Sequence, residues 1–450
     1  MKAVRILFNE LDGVISPAAR AVVALVFIVL LSPAASQNLS LGGDDPEPFR
    51  HSAKGAAEPT PVLDLLREAE VSNPEILAAQ YGWRAANHVA QQVSTLPDPQ
   101  ITIQQLSVGS PRPFAGFSNS DFAYVGIGAS QDIPYPGKLR LRAAAADREA
   151  DGLREEAEVV RRQVIEQVKV TYFRLAYVQQ TREILERNQQ LLQQTERVAE
   201  SHYRVGQGSQ QEVLKAQLQS TRILRELVMR HQELGQLEAQ LKQLLGRPQA
   251  SASIVTEKLS FQPLRLSSEE LLARVEAGNP QLRAQSQMLN KQKVQLQIAT
   301  RDARPDFNVQ YMYQRTGNRF RDYYMLSLGV RIPRRARQRA EVAEATEQIE
   351  KSRRQYESQS QQIMADTQSQ YLMAEADAEQ LKIYSEGLIP QAEAMLRAGT
   401  AAYEVNRQNF ETLLSYFADV LTLQLEQQKL LAEYNIAIAA LETRTGEALQ

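Results

Sequence analysis

The stretch NPEILAAQ at Asn73–Gln80 returns as NPQLRAQS at Asn279–Ser286, about 200 positions further along the chain. The segments downstream of each copy return in the same order. LPDPQITIQ at Leu96–Gln104 is answered by ARPDFNVQ at Ala303–Gln310, and GASQDIP at Gly128–Pro134 by GVRIP at Gly329–Pro333. Further on, YRVGQGSQQEVLKAQ from Tyr203 is answered by YEVNRQNFETLLSYF from Tyr403. A unit repeated over this length is a whole subdomain, not a short solenoid repeat. Asn followed by Pro is a helix start, because the Asn side chain caps and proline at the first helical position lacks only an N–H that would be unpaired anyway.

Between these marks each copy alternates long helical rods with two short strands. Residues 138–202 contain no proline and a single glycine, Gly152, and Val160, Val164, Val168, Leu175, Leu185 and Leu192 recur at helical spacing. A helix of that length is a rod of roughly 95–100 Å. Gly206 and Gly208 break it, a second rod over 210–245 returns, and Gly246-Arg247-Pro248 ends that one. The first repeat thus spans 62–250, with strands at about 99–107 and 122–132. A connector covers 251–266. The second repeat spans 267–446, with strands at about 306–315 and 322–332 and rods at 335–397 and 408–444. Pro390 and Gly399 predict a kink at the far end of its first rod. Rods this long must bury their apolar stripe against neighbouring helices.

The strands are read from period-two alternation. Phe307, Val309, Tyr311 and Tyr313 alternate with Asn308, Gln310, Met312 and Gln314, and Tyr324, Leu326, Leu328, Val330 and Ile332 alternate with Met325, Ser327, Gly329 and Arg331. Eight to ten such residues is the length of a membrane-spanning β-strand. Thr316-Gly317-Asn318 suits the turn between them, whereas the loop from Ser107 to Asp121 in the first copy is long and rich in Gly, Pro and Ser. Prolines at 97, 99, 134, 136, 305 and 333 mark the changes from helix to strand and back. One hairpin could pack on the helices of a soluble protein, but two at equivalent repeat positions point to a membrane. Val309, Tyr311, Leu326, Leu328 and Val330 are then the lipid-facing side chains. Four strands cannot close a barrel, and open edges in lipid cost several kcal/mol per unpaired backbone group, so several copies must share one barrel.

The totals narrow the alternatives. The 450 residues carry a net charge of −2, which leaves no basic footprint for nucleic acid, and the lack of cysteine excludes disulfides and thiolate chemistry. Ala21–Leu31, AVVALVFIVLL, is too short to span a bilayer as a helix and suits a signal-peptide core. Lys2, Arg5 and Arg20 before it and Ala34-Ala35-Ser36 after it predict a leader at 1–36, followed by an irregular arm at 37–61. His51, His88, His202 and His231 have no ligand spacing, so no metal site is expected from them, and Met312, Met325, Met364 and Met373 read as gap filler. There is no phosphate loop, nucleophile elbow or His-Glu zinc motif, so the chain reads as no enzyme and no cofactor is expected. Arg331, Arg334, Arg335, Arg337 and Arg339, with Lys138, Arg140 and Arg142 at the equivalent place in the first copy, read as interfacial anchors paired with Glu341 and Glu344, or as a cationic collar.

Taken in order over Val62–Gly446, the two Asn-Pro starts, the two Pro-Asp strand openings and the paired tips resemble the outer membrane factor family typified by TolC. QDIPYPGKLRLRAA at Gln131–Ala144 is most similar to its metal-cation branch, typified by CusC and CzcC. The resemblance implies a mainly α fold with a membrane β-barrel contribution. It also implies a homotrimer in the outer membrane, extending into the periplasm as an α-barrel of long helices, with four strands per subunit. The partners it implies are a periplasmic adaptor (membrane fusion protein), an inner-membrane pump of the resistance-nodulation-division type, and outer-membrane lipid. The function implied is passive efflux of small solutes, metal cations or drugs. The alternatives are a type I secretion duct for polypeptides and a soluble periplasmic coiled-coil scaffold. By the same resemblance, Tyr203, Arg204, Val205, Gly206, Tyr403, Val405 and Asn406 are adaptor-contact candidates, with Glu212-Val213-Leu214 and Leu413-Leu414 completing the two tips. The family's two gate aspartates fall on Thr412 and Ser415 here, so the gate candidates are Arg407, Phe410, Glu411, Thr412, Leu414 and Ser415.

Overall fold

The computed structural model describes residues 59–107, 123–316, 321–405 and 407–449. The leader, most of the arm, His51, the long first strand loop, the Gly317-Asn318 turn and Asn406 lie outside the described residues.

Each repeat begins with short helices. In the first, α1 (Val62–Ser72), α2 (Pro74–Asn87) and α3 (Val89–Ser94) lead into β1 (Gln100–Leu106) and β2 (Tyr124–Ile133). Two rods come next, α4 (Lys138–Arg204) and α5 (Gln210–Leu244). In the second, α6 (Ser268–Gly278) and α7 (Pro280–Arg301) lead into β3 (Asp306–Thr316), β4 (Asp322–Arg331) and α8 (Arg335–Ile383). A π-helical turn over Tyr384–Leu388 then joins α8 to α9 (Ile389–Glu404), and α10 (Phe410–Thr445) returns. No helix among the described residues is long and apolar enough to cross a membrane.

The two Asn-Pro starts do the same double work. The Asn73 Oδ1 accepts from the amides of Glu75 at 2.8 Å and Ile76 at 3.2 Å, and its Nδ2 donates to the Leu244 carbonyl at the end of α5 at 2.8 Å. The Asn279 Oδ1 accepts from Gln281 at 2.9 Å and Leu282 at 3.3 Å, and its Nδ2 donates to the Arg444 carbonyl in α10 at 3.3 Å. One buried side chain thus caps a helix and satisfies a carbonyl at the end of the returning rod in each repeat. The rods stop at Gly246 (φ 67°) and Gly446 (φ 78°), left-handed positions that favour glycine.

α4 is one unbroken helix of 67 residues. Its stripe, Val164, Val168, Leu175, Leu185 and Leu192, is buried. The second repeat has no equivalent single rod: Pro390 lacks the N–H that an α-helix would use and its ring would crowd the carbonyl four residues earlier. The π turn sits just ahead of it.

The elements form successive tiers with the same order. The strands make one antiparallel sheet, β1-β2-β3-β4, in which Ile127 faces Tyr313 and Tyr311 faces Leu326. Beside the sheet, α3 packs on α4, α4 on α7 and α7 on α8. Further along, α5 packs on α4, α4 on α10, and α10 on α8 and α9. Every tier therefore begins with an element of the first repeat and ends with one of the second. Tyr172 of α4 and Tyr434 of α10 hold the connector: the Tyr172 hydroxyl accepts from the Glu257 amide at 2.9 Å, and the Tyr434 hydroxyl donates to the Gln262 carbonyl at 2.7 Å.

Replacing either asparagine by alanine removes a cap and leaves a carbonyl unpaired. Asn73→Ala and Asn279→Ala are each expected to destabilise the fold by about 1–2 kcal/mol. Asn→Asp, which keeps the acceptor and loses the donor, should cost less. Denaturant unfolding of the detergent-solubilised protein measures both.

Candidate functional site

The sheet has two unlike faces. Cross-strand register places Ile101, Ile103, Val125, Ile127, Phe307, Val309, Tyr311, Leu326, Leu328 and Val330 on one face. On that face Leu326 is 67% and Leu328 73% exposed, while Val309 is half-buried. The opposite face carries Thr102, Gln104, Ser130, Asp132, Asn308, Gln310, Gln314 and Ser327. It also holds Met312, which is 0% exposed. A Cβ on Gly128 would lie 2.8 Å from the Met312 methyl, and a Cβ on Gly126 3.0 Å from the Tyr313 carbonyl. Glycines in β2 thus make room for a methionine, which fills a gap. Met325 lies opposite it in register, while Met364 and Met373 are far along α8. Among the described residues no group of three His, Cys, Asp or Glu side chains could hold a metal ion.

The junction of sheet and rods corrects part of the charge reading. Lys138, expected among the anchors or the collar, is 2% exposed. Its ammonium lies 2.9 Å from the Asp306 carboxylate and 3.3 Å from that of Asp302, and donates to the Arg304 carbonyl at 2.9 Å. It cross-links the two repeats, because burial of an amine requires paired carboxylates. Arg142 and Arg331 line a cavity of about 340 Å³ together with Asp132 and Asp306, so the charge there is mixed. Arg337 pairs with Glu341 at 2.7 Å, as the anchor reading has it.

At the far end the two tips pack on each other. After α4 the chain turns through Gly206 at φ 74°, and the Gln207 and Gly208 amides both donate to the His202 carbonyl, at 2.8 and 3.1 Å. Asn409 caps α10 through the Glu411 amide at 2.8 Å. Between the tips, Ala199, Ala216, Tyr403, Phe410 and Leu413 form a small core, with Leu414 packed against it. The Tyr403 hydroxyl donates to Glu212 at 3.1 Å, and Lys215 pairs with Glu411. Burial and the Glu212 carboxylate hold the Tyr403 phenol well above its ordinary value, and the Lys215 ammonium lowers the Glu411 carboxyl.

This arrangement separates the tip candidates. Tyr203, Arg204, Val205, Gly206 and Val405 are exposed, as are Arg407, Glu411 and Ser415; Thr412 is half-buried. Phe410 is 1% and Tyr403 3% exposed, with their rings 5.4 Å apart. A gate ring and an adaptor contact both need an open surface, and these two side chains instead form the core between the tips. Leu414 is half-buried beside them. The sequence reading missed Lys215 and the pairing of Tyr403 with Glu212. These pairs join residues more than 190 positions apart, and the only local signal was Glu212 and Lys215 falling three apart on one helical face.

Strands with an apolar outer face at one end, long rods, and packed tips at the other are the parts of a duct subunit. Residues 65–247 match the model of the family described as outer membrane efflux protein. That match covers most of the first repeat. Solved structures similar to it include the outer membrane protein VceC of Vibrio cholerae (18% identity, TM-score 0.72, covering 86% of this chain and 97% of that one). The MtrE outer membrane channel of Neisseria gonorrhoeae is similar at 15% identity and TM-score 0.72, covering 86% and 89%. CusC is similar at 17% identity and TM-score 0.70, covering 85% and 91%. At such identities the likeness is one of fold, and it is even across the three. Among curated proteins none matches the sequence.

The Lys215–Glu411 pair sets a pH dependence. A carboxyl whose folded pKa is depressed contributes stability above its unfolded value, about 4.3, and loses that contribution as pH falls through the folded value. Spin labels introduced as Gln207→Cys and Arg407→Cys should therefore separate or broaden in distance below about pH 4. Glu411→Gln should remove that response.

Proposed function

We propose that three copies of this chain form a passive duct. Small solutes delivered by an inner-membrane pump leave through it, crossing the periplasm inside the helices and the outer membrane inside the strands. The observation that carries this reading is the unlike pair of open edges in every tier: β1 and β4, α3 and α8, α5 and α9. An interface that joins unlike edges closes only by rotation into a ring. In lipid it must close, because unpaired strand edges have no water to satisfy them. Two copies would give eight strands, an interior that side chains fill; three give twelve, the smallest set that leaves a passage.

In that ring Val309, Tyr311, Leu326, Leu328 and Val330 face lipid. The exposed tip residues Tyr203, Arg204, Val205, Gly206 and Val405 meet a periplasmic adaptor. Arg407, Glu411, Thr412 and Ser415, which remain at or near a surface, supply the polar side chains of the tip opening. The chain holds no energy source of its own in this reading; the pump, of resistance-nodulation-division type, supplies it.

Two measurements test the ring. Leu326→Arg is expected to cost about 2–4 kcal/mol per subunit near the bilayer midplane, seen as loss of the heat-resistant oligomer in detergent. Because the chain has no cysteine, Ile103→Cys combined with Leu326→Cys or Leu328→Cys gives clean cross-linking between β1 and β4 of adjacent copies. The expected ladder ends at three. A ladder that ends at two, or intact heat resistance in Leu326→Arg, overturns the reading.

A further inference from the structure

A cavity of about 200 Å³ lies midway along the rods, between α4, α5 and α10. Its walls from α4 and α10 are apolar: Tyr177, Leu185, Leu421 and Leu425. Its α5 wall carries three guanidinium groups, Arg222, Arg225 and Arg230, against one carboxylate, Glu226. Arg225 pairs with Glu226 at 2.9 Å, and Arg230 lies between Glu233 at 2.5 Å and Glu226 at 3.8 Å. Arg222 reaches no carboxylate among the described residues and touches only the Gln219 side-chain oxygen, at 3.4 Å. Thr181 also lines the cavity; it is 1% exposed and its hydroxyl has no hydrogen-bond partner. A buried hydroxyl without a partner is costly, and here it stands beside an excess of positive charge.

The position of the cavity is set by helix geometry. Tyr172 and Gln179 hold the connector on one face of α4, with the Gln179 amide donating to Ile254 at 2.9 Å. Thr181 is two residues beyond Gln179, about 200° round the helix, and Tyr177 is on the same opposite side. On α10, Tyr434 holds the connector and Leu425 is nine residues before it, about 180° away. Both helices thus turn the cavity away from the side that the connector covers. In the ring proposed above, that extra layer lies outside, since inside it would fill the passage, and the cavity opens on the inner wall.

We infer that this cavity is a docking site for small organic anions, with the acidic group on Arg222, Arg230 and the Thr181 hydroxyl and the apolar body against Leu185, Leu421 and Leu425. Its placement on the inner wall rests on the duct reading; its chemistry does not. A carboxylate, sulfonate or phosphate ester gains charge-assisted bonds from the guanidinium groups, and such bonds fix orientation as well as strength. The site makes the wall attractive to anionic cargo rather than to cations.

Benzenesulfonate, followed by saturation-transfer NMR on the full chain in detergent, tests the site, with phenyltrimethylammonium as a probe of similar shape and opposite charge. Saturable binding of the sulfonate and none of the ammonium is expected. Arg222→Gln, at an exposed and unpaired position, should weaken binding about tenfold, the loss of one charge-assisted bond. Thr181→Val, which keeps the volume, should weaken it several-fold. Equal binding of both probes, or unchanged binding in Arg222→Gln, overturns the inference. Conductance in planar bilayers separates it from the duct reading. Normal conductance without arginine-dependent binding defeats the site alone. Arginine-dependent binding without conductance defeats the duct and leaves the site standing.

Discussion

A strand in hydrocarbon needs a partner on both sides, and the sheet of this chain ends in two strands that each have one. Every other tier inherits that constraint. In the proposed ring, closing the strands through neighbouring copies sets the rotation between copies, and the rods continue from the strands after only a short turn at Pro134–Gly137 and Ile332–Arg334. The free sides of α5, α8 and α9 must then meet in the same rotation as β1 and β4. Exposed apolar side chains along the rods, such as Leu214, Leu218 and Val228 on α5 and Leu372 and Ile383 on α8, are what such a seam would cover.

Within one chain the two repeats are held together by polar contacts at several levels. Lys138 ties the start of α4 to Asp302 and Asp306 beside the sheet, Lys169 pairs with Glu442 of α10 further along, and Lys215 with Glu411 joins the tips. The first two are buried or nearly so, and a buried pair is more specific than stabilising: removing one partner strands a charge, while the intact pair mainly fixes register. For two repeats joined along long apolar stripes, register is what such pairs specify.

Much of this was legible in the sequence because periodicity carries it. Two-residue alternation located the hairpins, the uninterrupted helical stripe located α4, and Asn-Pro located the two starts. The resemblance named the family, and the fold and the matched segment agree with it. What periodicity does not carry is which of two apolar faces is core. Phe410 and Leu414 recur at helical spacing, and nothing in that spacing distinguishes a ring aimed at a pore from one aimed at Tyr403. Lys138 misled for the same reason: three basic residues at 138, 140 and 142 look alike along the chain, and only Asp302 and Asp306, more than 160 positions away, select the first for burial.

The repeats differ most where the tips are held. α4 runs unbroken into its tip, so the first tip is the end of a single stiff rod. The second tip is reached through a π turn and Pro390, where the regular ladder of backbone hydrogen bonds is interrupted and bending is easiest. The Tyr384 hydroxyl, in that turn, donates to Glu426 of α10 at 2.8 Å, so the interruption is braced against the returning rod rather than left free. Beyond the brace, polar links to the first tip among the described residues include Tyr403 to Glu212 and Lys215 to Glu411. One of these is half-buried and the other lies at the surface, where salt screens it. A stiff tip and a jointed one, joined partly through a screened pair, place the easier motion in the second repeat.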